Sequence, residues 1–488
     1  MILALDIGTS STRALLFDAR GHKIGTSSQI EYSQTTTQEG GVETDARSLF
    51  GLTMRCIDSV LAENPHVVIE AVATSCFWHS LIAVDENHRA LTPLYSWADN
   101  RSATYVAALK SLIDEDEAHA RLGCVLHTSY WPAKLLWLQH TQPKLFTSTR
   151  SALWLGFGEW IQAQLFGNTS MSLSMASGTG IFHQNNCDWD DEVLDVLPIS
   201  RAQLPQLIDC YEVLGELLPP WKKRWPQLAC AKWLPAVGDG ACSNLGSGCV
   251  DASRVAMNVG TSGALRVVLD ANEYSMPAPR SLWRYRVDKK RILLGGALSN
   301  AGNLWAWCKQ NFALPSDVEA QISVMQPDAH GLTILPFLAG ERAPLWNADA
   351  RFVLAGASLD TSSPEIARAC LEASSFRFAA IFALLKEALE TISSTRSIEI
   401  VASGGALNKS QIWSQIVTDC LGAPLVHSTE SEASARGAAL LALESLGVLD
   451  LSQMPVHTGL IIEPNLKNHA IYERALQRQD ALYQKLYG

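Results

Sequence analysis

LALDIGTSSTRALLFD, Leu3 to Asp18, returns in the second half of the chain as VAMNVGTSGALRVVLD, Val255 to Asp270. In each copy an apolar run rich in strand formers meets a Gly-Thr-Ser turn, Gly8-Thr9-Ser10 or Gly260-Thr261-Ser262, and a second apolar run ends on an aspartate. This is the pattern of a β-hairpin with a polar, backbone-rich tip. Such a tip can aim several N–H and hydroxyl donors at one anion, and its glycine lets the backbone approach with no Cβ in the way. One hairpin alone reads as an ordinary surface turn. Two copies describe two related domains whose phosphate loops face each other across a nucleotide. One difference between them carries chemistry: Asp6 becomes Asn258, so only the first copy offers a carboxylate to a magnesium ion.

At ~150 residues per domain the 488 residues would make about three domains, whereas the repeat argues for two larger ones, with a boundary near Gly248. The chain is 47% hydrophobic and 18% charged, as soluble globular proteins are, and no apolar run approaches the ~18–20 residues of a bilayer span. Asp6 interrupts the N-terminal apolar run, which has no basic flank, so a secretory leader is not expected. A net charge of −11 argues against a nucleic-acid partner. Eleven cysteines without a CxxC pair read as reduced core residues of a cytosolic protein, and the twelve histidines show no zinc-ligand spacing.

Along the chain, Asp45 to Leu61 reads as an amphipathic helix and Val67 to Thr74 as a buried strand leading into Trp78 and His79. Both of those side chains could be plain core; at a strand terminus of an α/β fold, where ligands sit, they are candidate sugar contacts. In Ser96-Trp-Ala-Asp-Asn-Arg-Ser102, Asp99 or Asn100 reads either as the N-cap of the next helix or, with Arg101, as part of a ligand site. Helical stretches follow around Tyr130 to Trp137 and over Leu153 to Leu165, then a small-residue turn over Ser174 to Gly180. Gly238-Asp239-Gly240 opens a small-residue helix. Asp239 there is an N-cap or an exposed general base, left unshielded by its flanking glycines and favoured in its ionised form by the helix dipole. Further on, Ser363-Pro364-Glu365 starts a long helix to about Glu390, Ile398 to Ala402 is a strand feeding Gly404-Gly405, and Glu430 to Leu446 is an alanine-rich helix suited to close packing.

DIGTSSTRALLFD, SWADNRS, VGDGACSNLGSG, NVGTSGAL, PFLAGERAP and ASGGALNKSQIWSQIV occur in the order and spacing of the FGGY carbohydrate kinases, which the chain resembles over nearly its whole length. Within that family it looks most like the gluconokinase-type members. The resemblance implies an α/β fold of two actin-like, ribonuclease-H-like domains, 1–247 for sugar and catalytic base and 248–488 for ATP, with the nucleotide cleft between them. It implies Asp239 as general base, Asp6 with Asp239 on magnesium, and Gly8, Thr9, Ser10, Thr12 and Arg13 at the phosphates. Gly260 and Thr261 fall on the γ-phosphate, Gly302, Gly404, Gly405 and Asn408 on the adenosine end, and Trp78, His79, Asp99 and Arg101 on the sugar. Arg101 or Arg342 would pair with the carboxylate of an acid substrate. The implied cofactors are ATP and Mg2+, and the implied partner is a small sugar or sugar acid, with no nucleic acid and no membrane; a homodimer is compatible with it. Departures fall on the sugar side. Arg13 stands where many members have lysine, Trp131 where the residue is usually small or proline, Ser172 where aspartate is usual, and Gly158-Glu159-Trp160 where lysine is often present.

The resemblance leaves the sugar open between gluconate or a related aldonate and a xylulokinase-like ketose or pentitol. From another class, an actin- or chaperone-like ATPase switch would use the paired hairpins but leave Trp78, His79 and Asp99 idle. No Walker loop or protein-kinase signature is present.

Overall fold

The computed structural model describes residues 1–147, 152–392, 398–454 and 458–488. The first copy of the repeat forms β1 (Ile2–Ile7) and β2 (Ser11–Phe17), an antiparallel pair, with β3 (Lys23–Glu31) beyond β2. On the other side, β4 (Ala71–Cys76) and β5 (Lys232–Gly238) run parallel to β1, giving the order β5-β4-β1-β2-β3. β1 is a continuous apolar run because both of its faces are covered: Ile2, Leu3, Ala4, Leu5 and Ile7 are all buried. Helix α1 (Ala46–Glu63) packs on β2 and β3, and Asp45 is its N-cap rather than its first residue, with a carboxylate that accepts the Ser48 N–H at 2.7 Å.

The second copy forms β6 (Arg254–Val259) and β7 (Gly263–Asp270), joined by β8 (Trp283–Arg286), β9 (Arg291–Leu298), β10 (Glu399–Ser403), β11 (Leu425–Ser428) and β12 (Thr458–Ile462) in the order β8-β9-β7-β6-β10-β11-β12. Its central β9-β7-β6-β10-β11 reproduces β3-β2-β1-β4-β5, strand directions included. The expected pair of actin-like, ribonuclease-H-like domains is therefore present. The likeness extends to single contacts. Ser75 of β4 pairs with Asp6 and donates to its carboxylate at 3.1 Å, while in the second copy Asn258 donates to its own register partner, Ser403, at 3.2 Å.

The two hairpin tips differ by one residue. Ile7 pairs with Thr12 in the first, and the Gly8 N–H bonds the Ser11 carbonyl; Val259 pairs with Gly263 in the second, and the Gly260 N–H bonds the Ser262 carbonyl. A shift of one position turns each side chain to the opposite face of its sheet. Asp6 consequently faces Arg13, whereas Asn258 faces Ala264, and the residues of β7 that look into the cleft are Ala264 and Arg266.

The sheets part between Gly238 and Arg254, where α2 (Asp239–Gly246) lies. Two later elements return to the first core. One is β8 with Trp283 and Tyr285; the other is α4 (Ala433–Ser445), which follows the long α3 (Ser363–Glu390). α4 packs on β1, β4 and α2, and its small residues serve that approach: a Cβ on Gly437 would lie 1.9 Å from the Cys242 carbonyl oxygen, and one on Gly246 1.8 Å from that of Ala433. Three local readings change. Leu153 to Leu165 begins as a strand, Leu153–Leu155, and becomes helical only from Phe157, and the turn over Ser174 to Gly180 starts as a short helix, Leu173–Ser177. Ser362 rather than Ser363 caps α3, in a reciprocal box with Glu365. Among the described residues no helix is long and apolar enough to cross a membrane.

Candidate active site

Asp239 is the first residue of α2, with Gly238 in the cap position, and its carboxylate accepts one bond, from the Gly240 N–H at 2.8 Å. It therefore does not bridge to the second or third turn residue as an N-cap would. Burial raises its pKa above the ordinary carboxylate range, opposed by the nearby Arg266 charge and the Gly240 N–H. The glycines flanking Asp239 have a different cause from the one expected. The Trp78 indole lies beneath them, so a Cβ on Gly238 would come within 1.9 Å of its Cε2 and one on Gly240 within 2.8 Å of its Cζ3. Trp78 is fixed there by its Nε1–H, which donates to the Ser174 carbonyl at 2.9 Å. Gly238→Ala is thus expected to displace Trp78 and destabilise the fold by ~1–3 kcal/mol, the usual range for overpacking. A lowered thermal midpoint together with changed Trp fluorescence would be the measurement; an unchanged midpoint would remove the steric account.

Asp239 and Trp78 line a cavity of about 260 Å³ shared by both domains. His79 also lines it, in the left-handed region at φ 68°, which is uncommon for a non-glycine residue. Burial pushes its pKa down to about 3. The imidazole is then neutral, its Nδ1–H donates to the Gly178 carbonyl, and Nε2 is left as an acceptor. Tyr130 and Tyr285 close one wall from opposite domains with their hydroxyls 2.7 Å apart, and Trp283 stacks on Tyr285 with centroids at 4.5 Å.

Asp99 and Arg101 are not on this cavity. The Arg101 guanidinium is taken up by two carboxylates, Asp99 at 2.5 Å and Glu43 at 2.6 Å, and lies over the Trp137 ring at 4.7 Å. Asp99, 1% exposed, also accepts the Val42 N–H at 3.0 Å, and the following helix begins after Ser102, whose side chain makes no cap bond. The pair braces the loop that presents Trp97, and neither side chain lines the cavity that holds Asp239. Arg342 remains. It lies over Trp97 at 5.1 Å, donates one N–H to the Leu298 carbonyl at 2.9 Å, and has a buried Nε–H without a partner. Buried Lys134 holds the adjoining loop through the carbonyls of Thr128 and, at 2.9 Å, Ser129.

Beyond Asn258 a second cavity, of about 340 Å³, is lined by Asp6, Arg13, Gly404, Gly405 and Asn408. A third, of about 480 Å³, adjoins it at Gly405 and takes in Gly260, Thr261 and Gly302. The three form one trough with Asp239 at one end. Burial raises the Asp6 pKa to about 6, against the lowering effects of Arg13 and the Ser75 hydroxyl, and the Asp239 charge adds to the rise. Two half-buried carboxylates on one trough form a donor set that fits a divalent cation. Arg13, 3.9 Å from Asp6, is engaged by Glu432 at 3.0 Å. Gly404 has φ 101°, and a Cβ there would meet the Val259 carbonyl oxygen at 2.4 Å; at Gly405 a Cβ would meet nothing, so that backbone is open to a ligand. Gly302 packs on Gly260, its N–H bonding that carbonyl at 2.9 Å.

Thr9 reaches the Asp239 cavity, and Gly8 and Ser10 form the first tip beside it. Thr12 does not belong to the site: it is fully buried in the sheet interior and bonded to the Thr53 hydroxyl at 3.1 Å. Sequence reasoning passed over Arg266, Tyr285 and Glu432. Arg266 had a signal, as a lone charge inside the apolar run GALRVVLD.

The gluconokinase of Bacillus subtilis (strain 168) is 28% identical over 462 residues, 92% of this chain and 88% of that protein. Among solved structures, a gluconate kinase from Lactobacillus acidophilus superposes with a TM-score of 0.90 at 29% identity, covering 99% of this chain and 98% of that one. A xylulose kinase from the same organism gives 0.89 at 29% identity with the same coverage. The model of the FGGY carbohydrate kinase N-terminal domain matches residues 1–246 and that of the C-terminal domain residues 255–446. With both domain models matched in order on two sheets of one topology, and the cleft between them carrying the Gly-Thr-Ser tips and a half-buried aspartate, the chain belongs to the FGGY family of carbohydrate kinases.

Proposed function

We propose that the protein phosphorylates a hydroxyl of a linear sugar acid, gluconate or a related aldonate, with ATP as phosphoryl donor and magnesium as cofactor. The observation that carries the acid is Arg342, a guanidinium in no ion pair among the described residues, with a partnerless buried Nε–H, on the same cavity as Asp239. The two oxygens of a carboxylate match the guanidinium fork in parallel and carry the opposite charge, which a neutral hydroxyl does not, and the contact gains strength out of water. Arg342 lies over Trp97, whereas Arg266 lies against Gly240, next to Asp239. The acid end then lies at Arg342 and the reacting hydroxyl at Asp239, which takes its proton. His79 Nε2 accepts from a middle hydroxyl, and Trp78 gives the chain an apolar floor. Asp6, with Asp239, would hold magnesium, which neutralises phosphate charge when bound. The two hairpin tips and Gly405 cradle the nucleotide.

Gluconate, xylulose, ribulose, glycerol and several pentitols, compared as acceptors by ADP release, test this reading. Gluconate or another aldonate should give the highest kcat/KM. Arg342→Met should raise the KM for that acid ~10–100-fold, since a hydrogen bond to a charged group is worth about 1.5–3 kcal/mol, and should change the KM for a neutral acceptor little. A neutral ketose turning over faster than every acid would favour the xylulokinase-like reading instead. ADP release independent of any acceptor would favour an ATPase switch.

A further inference from the structure

Arg266 enters the cavity from β7 of the second domain, beside a base that belongs to the first. It lines the same cavity as Asp239, with its guanidinium against Gly240, the residue after that base. The side chain is aimed by reciprocal bonds: its Nε–H donates to the Asn244 Oδ1 at 3.1 Å, and the Asn244 Nδ2–H donates to the Arg266 carbonyl at 3.2 Å. Asn244 stands in α2, the helix that begins at Asp239, so base and cation are referred to one rigid element. Two glycines clear the path. A Cβ on Gly295 would lie 2.8 Å from the Arg266 Cγ, and one on Gly240 would lie 2.9 Å from its Nη1. The terminal nitrogens are left open to the cavity, and among the described residues Arg266 is in no ion pair with a carboxylate. Asp239 is a counter-charge to this half-buried cation only from beyond ion-pair distance, so the fork of donors is left to meet an incoming anion.

We propose that the Arg266 guanidinium contacts the transferred phosphoryl group, as a cation that the nucleotide-side domain delivers to the transfer point beside Asp239. This rests on the phosphoryl-transfer reading above. In the step, the acceptor hydroxyl oxygen forms its bond to the γ-phosphorus while the bond from that phosphorus to the bridging oxygen of ADP breaks. The hydroxyl proton goes to Asp239. Arg266 makes no covalent bond; its N–H groups hold the equatorial oxygens while their charge is greatest, the task for which a planar fork of donors is suited.

Arg266→Ala in the full chain tests this. With the acceptor that the wild type uses best, turnover should fall ~10³-fold or more, the range known for arginines at phosphoryl-transfer sites, with the KM for ATP and acceptor little changed. Ethylguanidinium in the buffer should restore part of the loss. ADP should bind as to wild type, but the tightening of ADP binding by aluminium fluoride, a mimic of the flattened phosphoryl group, should disappear. That last measurement needs no acceptor, so it reads Arg266 even where every acceptor fails and the parent reading falls with them. Asn244→Ala, which keeps the guanidinium and loosens its brace, should cost much less than Arg266→Ala. The proposal is overturned by turnover within about tenfold of wild type, by retained tightening with aluminium fluoride, or by an equal loss in Asn244→Ala with no guanidinium rescue, which would make Arg266 a brace between domains.

Discussion

Asp239→Asn is expected to lower turnover by ~10²–10⁴-fold, the usual contribution of a general base, while ATP and acceptor bind as to wild type. An acceptor hydroxyl is a poor nucleophile near neutral pH, and a carboxylate within hydrogen-bond reach takes its proton as the bond to phosphorus forms. Asparagine keeps the size of the side chain and its one bond, because an amide oxygen can accept the Gly240 N–H as the carboxylate does at 2.8 Å. It removes the basic site and leaves Asp6 as the carboxylate that would hold magnesium. The fold should not suffer, since burial penalises the carboxylate and an amide carries no charge to bury; the thermal midpoint should equal or exceed that of wild type. The pH profile gives a second readout. In wild type, kcat/KM should rise with pH through a limb lying above the ordinary carboxylate range, because the base works only when deprotonated and burial holds its proton on. In Asp239→Asn that limb should be gone. Near-normal turnover would falsify the catalytic role, and a lowered midpoint with proportionate loss of activity would return Asp239 to a merely structural place in α2.

The paired hairpins made the domain architecture legible, because a buried strand, a glycine-bearing tip and a second buried strand can be written in few ways. The residue types alone leave the facing of Thr12 and Arg266 open for one shared reason. Aligned as text, the two copies match without a gap, placing Arg266 opposite Ala14 and Ala264 opposite Thr12. In three dimensions the first tip is one residue wider, so Thr12 turns into the sheet while Ala264 and Arg266 turn toward the cleft. Strand register is decided by the bonds at a turn, which the residue types Gly-Thr-Ser do not distinguish. Asp99 and Arg101 illustrate a different limit. Their types suit a ligand, but Glu43, remote in sequence, supplies the second carboxylate that satisfies the guanidinium within the protein. The glycines around Asp239 are legible as glycines but not their cause, since the indole that needs their space arrives from beyond the end of β4.

Asp6→Asn should lower turnover at moderate magnesium by ~10²–10³-fold, because a metal supplies several kcal/mol of charge stabilisation in such transfers and each factor of ten is about 1.4 kcal/mol. The second half of the molecule shows why the substitution should fold: Asn258 occupies the equivalent register and bonds Ser403 as Asp6 bonds Ser75. The stability change has a definite sign. Burial raises the Asp6 pKa from 3.8 to about 6, so the folded state prefers the protonated form. Its contribution is fully present below pH 3.8 and is lost as pH rises through about 6, leaving the metal-free protein destabilised at pH 7. Asparagine removes that cost, so in a chelating buffer at pH 7 Asp6→Asn should melt above wild type and at pH 4 close to it. Magnesium reverses the comparison for wild type, because the ion must displace the Asp6 proton: its half-saturating concentration should fall as pH rises from 5 to 7, and the thermal gain on adding it should be small in the variant. Full activity of Asp6→Asn at limiting magnesium would remove Asp6 from the metal site, and a variant that melts below wild type in chelator at pH 7 would mean that the buried carboxylate stabilises the fold by contacts other than those it makes with Ser75 and Arg13.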